Sequence, residues 1–382
     1  MDREELAGWL RLTLTPGIGN IAARKLLGAF GLPDDVFRQT PAALGHLVPD
    51  ASAAALRQLP SGLDALVEAT WQWLHGGDET GAARRVLTLG DAGYPSGFLQ
   101  MADPPLMLYS LGAAGFDLAQ VDRSLAMVGS RNPTPQGLSN ARAFAQALGE
   151  AGIAVVSGLA LGIDGAAHQG ALDAAGGTPR LATIAFVGTG LDRVYPARHR
   201  DLARRIVGQG MLVSEFPIGT PPLTQNFPKR NRLIAGLSQG TLVVEAALQS
   251  GSLITARLAL EQGKEVFAIP GSIHAPQSRG CHALIRQGAK LVESVQDILE
   301  ELQFPVAIDS IAANARSAGV SAVTEPENPL LDALGHDPVS LDALTARTGW
   351  SAADLQVRLL ELELDGHVAR LPGGLFQRVA SA

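Results

Sequence analysis

The chain has 382 residues, 46% of them hydrophobic and 18% charged, which suits two to three soluble domains with separate cores. No apolar run approaches the roughly 18 residues of a membrane span, and the acidic, amphipathic start MDREELAGWL does not read as a secretory signal. A single cysteine, Cys281, excludes an intrachain disulfide and a cysteine-built zinc site, so a cytoplasmic location is expected. The net charge of −7 argues against a nucleic-acid partner only until its distribution is examined. Residues 1–86 hold eight basic and ten acidic side chains, and residues 325–382 hold four and nine. The window Gly190–Arg232, in contrast, holds eight basic side chains against three acidic ones.

Residues 1–86 read as a small helical domain. Within it, PGIGNIAARKLL resembles the second half of a helix-hairpin-helix, a weak pointer to phosphate contact. From residue 87 to 303, short apolar runs alternate with helical stretches, which predicts a doubly wound, mostly parallel α/β sheet of Rossmann-like order. Expected strands are Leu125–Val128, Ala154–Val156, Ala182–Val187, Met211–Ser214, Leu242–Val244, Val266–Ile269 and Lys290–Val292. Residues 304–329, rich in Ala, Ser and Pro, read as a linker. Residues 330–382 predict helices and a hairpin with a Pro-Gly-Gly turn, a winged-helix-like arrangement. Its third helix sets Arg358 against Asp354, Glu361, Glu363 and Asp365, so protein contact is expected there rather than DNA contact.

The segment NFPKRNRLIAGLS breaks an electrostatic rule. Pro228 favours the first position of a helix, which would put Lys229, Arg230 and Arg232 at the end whose dipole repels cations. An anion bound there would resolve the conflict. Asn231 adds a neutral donor and acceptor, and Phe227 a flat apolar face on which a base could stack. The strand ending in Val128 runs into Gly129, Ser130 and Arg131, where a glycine allows close approach and an arginine can grip phosphate. The next strand ends in Ser157 and Gly158. If all three turns lie at the carboxyl edge of the sheet, they converge on one groove.

Rival chemistries find little support. Val187-Gly188-Thr189-Gly190 lacks the third glycine of a dinucleotide fingerprint, and no phosphate-binding loop ending in Gly-Lys-Ser/Thr occurs. Asp164 and His168 stand four apart without further ligands, so neither a metal nor a cofactor is expected. No serine sits in a nucleophile elbow, and no catalytic residue is assigned. Gln239-Gly240-Thr241-Leu242 followed by Glu245 resembles part of the motif of cytokinin-activating phosphoribohydrolases, which leaves a nucleotide-processing enzyme as one alternative. A protein-only adaptor is the other.

VGSR, SGLAxGIDxxAHxGAL, VGTGLDRVYP, NFPKRNRLIAGLS, VVEA, SGSLITA and VFAIPG, in this order, resemble the DNA-processing protein A family, DprA or Smf, over about residues 93–295. The resemblance implies a non-catalytic protein that binds single-stranded DNA and loads the RecA recombinase during natural transformation. It further implies a homodimer formed through the Rossmann-like domain. By motif, Gly129, Ser130, Arg131, Ser157 and Gly158 would hold phosphate, Lys229, Arg230, Asn231 and Arg232 would line the groove, and Phe227 would stack on a base or shape the wall.

Overall fold

The computed structural model describes residues 1–77, 81–304, 328–335 and 338–379. Nearly all of the expected linker lies outside these residues. A nine-stranded sheet organises the middle of the chain: β1 (Ala83–Thr88), β2 (Met107–Gly112), β3 (Ser124–Val128), β4 (Ala154–Ser157), β5 (Thr183–Phe186), β6 (Gly210–Ser214), β7 (Gly240–Val243), β8 (Glu265–Ala268) and β9 (Lys290–Leu291). Their spatial order is β1-β2-β6-β5-β4-β3-β7-β8-β9. The run from β6 through β9 is parallel, and β1 and β2 extend one edge antiparallel. All seven expected parallel strands are present within two residues of their predicted limits. The antiparallel pair was not anticipated, and the boundary expected at residue 86 falls inside β1.

Both faces of the parallel strands are covered, which explains their nearly continuous apolar sequences. On β3, Leu125 and Met127 point into one core with Ala141, Ala145 and Ala171 of the Pro135–Glu150 and Ile163–Ala175 helices. Ala126 and Val128 point into the other, with Leu233, Ile234 and Ala256 of the Asn226–Leu237 and Ser252–Glu261 helices. The chain runs from β3 outward to β6 and then returns beside β3 to begin β7. That reversal is the position where open α/β sheets leave a crevice at the strands' carboxyl ends.

Six helices between Arg3 and His75 form the N-terminal region. Their core is continuous with Val86, Met107 and Tyr109 at the antiparallel edge of the sheet. Gly17 turns the chain between the first two helices at a φ of 77°. The C-terminal module has helices Pro329–Leu334, Leu341–Thr348 and Ala352–Leu364, with strands β10 (Val339–Ser340), β11 (Val368–Leu371) and β12 (Leu375–Arg378) paired as β10-β12-β11. Ser340 and Ser351 cap the second and third helices, as expected. Its core is its own, built on Leu334, Leu344, Leu355, Leu359 and Phe376. Among the described residues, no helix is long and apolar enough to cross a membrane.

Candidate nucleic-acid groove

A groove of about 610 Å³ lies at the reversal between β3 and β7, lined by Gly129, Ser130, Arg131, Phe227, Arg230 and Asn231 among others. The β3 turn is fixed against its neighbours. The Ser130 amide donates to the Glu245 carbonyl at 2.7 Å, and the Ile163 amide donates to the Ser130 carbonyl at 3.1 Å. A Cβ on Gly129 would sit 2.6 Å from Ile163 Cγ1, so only glycine allows this approach. The Ser130 hydroxyl accepts from the Asn132 amide at 3.1 Å, keeping its own proton to donate.

Arg131 is exposed, and its guanidinium lies 5.8 Å from the centroid of the Phe227 ring. No ion pair ties it to a carboxylate among the described residues. Phe227 is half-buried, with one edge close to Gly188, and its ring stands 5.6 Å from that of Tyr195. Tyr195 is 48% exposed and was not selected from the sequence as a site residue. It arrives on the long turn after β5, so only the fold places it beside Phe227. Two aromatic faces and one unpaired guanidinium therefore share a wall.

Arg230 has a different position from the one anticipated. It is 4% exposed, and its Nη1 donates to the Gly158 carbonyl at 2.5 Å and to the Phe186 carbonyl. It thereby ties the carboxyl ends of β4 and β5 together. Burial lowers its pKa to about 10, with nearby Asp164 opposing that shift, so it stays charged near neutrality. Asp164 accepts from the Gly158 amide at 3.1 Å and the Ala160 amide at 3.3 Å. Burial pushes its carboxyl above the usual range, and Arg230, those amides and the charge of Arg131 pull it back. The Gly158 amide and carbonyl are thus both engaged inside the protein, which removes the phosphate contact expected of it. Ser157 is fully buried and donates to the Met127 carbonyl at 2.6 Å, bridging β4 to β3 away from the groove.

The helix itself begins at Asn226, with Pro228 at its third position. Only Lys229 remains near the first turn, and Arg230 and Arg232 lie deeper. The dipole conflict is smaller than the sequence suggested. Arg232 faces away from the groove and pairs with Glu215 and Asp103. Glu215 also accepts from Asn20 Nδ2 at 2.8 Å, joining the second N-terminal helix to this arginine. Lys229 is exposed and lines the same junction, a cavity of about 500 Å³. Asn231 stays in the groove, accepting from Arg230 Nε at 3.2 Å.

Other expectations also resolve. Glu245 accepts from the Thr134 amide at 3.0 Å and the Thr134 hydroxyl at 2.6 Å, capping the start of the Pro135–Glu150 helix. Gly240 and Thr241 lie within β7 rather than in a turn. That placement gives the phosphoribohydrolase-like motif no loop to act from. His168 is fully buried and bonds to Thr183 Oγ1 at 2.7 Å. Burial pushes its pKa down to about 3, with His199 and Arg230 adding to the shift, so it is a neutral core residue. Asp192 pairs with Arg193 and accepts from the Gly219 amide, closing its own turn.

The Ser252–Glu261 helix opens at the groove, where the Ser250 hydroxyl accepts from the Ser252 amide at 3.3 Å and the Leu253 and Ile254 amides donate to the Ser250 and Gly251 carbonyls. A guanidinium outside any ion pair, the Ser130 hydroxyl and two aromatic faces suit an anion that carries flat apolar groups. A nucleic-acid strand has that combination.

Residues 85–303 match the family profile described as DNA recombination-mediator protein A, and residues 314–374 match the DprA winged helix domain. The second match begins earlier than residue 330, inside the stretch expected to be a linker. Protein Smf of Escherichia coli is 45% identical over 284 residues, covering 74% of each chain. The solved structure of DNA processing protein A from Streptococcus pneumoniae superposes with a TM-score of 0.65 at 35% identity, covering 80% of this chain and 99% of that one. A second solved structure, DNA processing protein A from Helicobacter pylori, concerns that protein's single-stranded DNA binding mode. It superposes with a TM-score of 0.50 at 30% identity over 57% of this chain and 96% of that one.

Proposed function

The chain belongs to the DNA recombination-mediator protein A family, DprA or Smf, and from that premise we propose that it binds single-stranded DNA in the β3–β7 groove. The observation that carries this reading is the wall formed by Arg131, Phe227 and Tyr195, an exposed cation outside any ion pair among the described residues beside two aromatic faces. Phosphate would meet Arg131 and the Ser130 hydroxyl, and bases would stack on the rings. None of these contacts reads a base edge, so affinity would depend little on sequence. Gly129, Ser130, Arg131, Phe227 and Asn231 would touch the strand, with Tyr195 added. Arg230 would hold the floor of the groove.

The downstream role is loading of RecA onto the bound strand during natural transformation, by a cytoplasmic homodimer joined through the sheet domain. The family description, recombination mediation, supports that role. Fluorescence anisotropy with oligo-dT and a matching duplex, over a salt series, tests the binding step. Tight single-strand binding that weakens with salt is expected, and equal, salt-independent affinity for both forms would reject it. A shortened lag in RecA filament growth on coated single strands would test the second step.

A further inference from the structure

The third helix of the winged-helix module, Ala352–Leu364, has two apolar faces, and only one of them is covered among the described residues. Leu355, Leu359 and Leu362 are 0%, 1% and 8% exposed and fill the module's core. Val357, Leu360 and Leu364 are 60%, 56% and 80% exposed. Their spacing of three and four residues stacks them into one stripe, on the side of the helix opposite the buried leucines. A helix with apolar side chains on both sides is characteristic of one that is covered on both. Single exposed leucines are ordinary, but three in one stripe mark a contact surface.

Charge decides what covers it. At 100° per residue, Asp354, Glu361 and Asp365 flank the stripe on one side and Glu363 on the other. The helix's one basic residue, Arg358, is held with its guanidinium 4.3 Å from the centroid of the Trp350 ring. A DNA phosphate backbone would meet carboxylates here, so this face is unsuited to the groove contact that winged helices make with such a helix. A second copy of the same face would set these carboxylates against their own kind, a like-charge juxtaposition that disfavours self-pairing.

We infer that the Val357–Leu360–Leu364 stripe docks a basic amphipathic helix of a partner protein. The partner's apolar residues, spaced by three and four, would cover the stripe, and its flanking Lys or Arg side chains would meet Glu361, Glu363, Asp354 and Asp365. Apolar burial would supply most of the affinity and the acidic flanks the choice of partner. This surface is independent of the proposed groove.

The test uses the full chain and a labelled synthetic helical peptide of about 20 residues, long enough to hold helical structure, with a leucine stripe flanked by lysines. A second peptide carries Glu in place of each Lys. The Lys peptide should bind and the Glu peptide should not. Leu360→Gln with Leu364→Gln should weaken the Lys peptide by at least about tenfold. Both positions are exposed, so circular dichroism should stay unchanged. Glu361→Lys with Glu363→Lys should reverse the preference between the peptides. Equal binding of both peptides, or Lys-peptide binding untouched by the leucine variant, would overturn the assignment. A change in self-association of the leucine variant in sedimentation would instead identify a second copy as the occupant. Lost duplex affinity in that variant would identify a nucleic-acid face.

Discussion

The Asn226–Leu237 helix separates two regions that its sequence makes look alike. On one side lies the groove, where Arg131 stands exposed against Phe227 and in no ion pair among the described residues. On the other lies the junction with the N-terminal helices, where Arg232 is paired with Glu215 and Asp103. Between them Arg230 is buried and holds the carbonyls of Gly158 and Phe186. Three arginines at one sheet edge thus have three roles: contact, framework and domain junction. A cation's availability depends on what the fold places against it, and local charge density does not report that.

Breaking the framework arginine should have the largest effect. Arg230→Ala removes a buried charge, takes the nearest cation from Asp164 and frees two buried carbonyls, so urea unfolding should show a loss of about 3–5 kcal/mol. Oligonucleotide binding should weaken as the floor of the groove loosens. Stability near that of the unmodified chain would mean that the arginine is not a strut.

The buried side should also carry a pH dependence. His168 is neutral in the folded state, with its pKa depressed to about 3, whereas an unfolded histidine titrates near 6.5. The unfolded chain therefore binds the extra proton first. The stability this group contributes is fully present above about pH 6.5 and is lost as pH falls toward 3, at up to about 1.4 kcal/mol per pH unit. His168→Gln should flatten the fall in unfolding free energy between pH 6.5 and 5. An unchanged slope would assign the acid sensitivity elsewhere.

At the junction, Arg232→Ala should leave Glu215 without its cation and lower stability by about 1–3 kcal/mol. Oligonucleotide affinity should stay within about twofold, because the Arg232 side chain faces the junction and not the groove. A marked loss of affinity in a folded variant would move the DNA path to the junction and Lys229. On the groove side, Phe227→Leu keeps apolar volume but removes the ring, and should cost about 1 kcal/mol of single-strand binding, at the low end for a stacked base. No loss would confine Phe227 to packing against Gly188.

The parallel strands were legible because they are buried on both faces. Residues such as Leu125–Val128 leave no polar position to confuse the period. β1 was not legible for the opposite reason. Arg84 and Arg85 interrupt its apolar pattern, and Arg85 reaches out to the carbonyls of Ala114 and Phe116. The convergence of the β3 turn with the Asn226 helix followed from strand order alone. What failed was the sorting within it. Arg232 could not be told from Arg131 without knowing that Glu215, 17 residues away, would meet it. Ser157 and Gly158 stand at the expected edge, but their polar groups are consumed by Met127, Asp164 and Arg230. Tyr195 was missed because its neighbour Phe227 is 32 residues distant in the chain and adjacent only through the turn after β5.

The central claim is that Arg131 grips the phosphate backbone of a single strand. Its most direct measurement is the salt dependence of oligo-dT binding by the unmodified chain and by Arg131→Ala, with urea unfolding as the control on folding. The variant should unfold like the parent, bind at least about tenfold more weakly, and show a slope of log affinity against log salt smaller by about 0.7, the value for one phosphate contact on a single strand. A folded variant with the parent's affinity and the parent's slope would contradict the account.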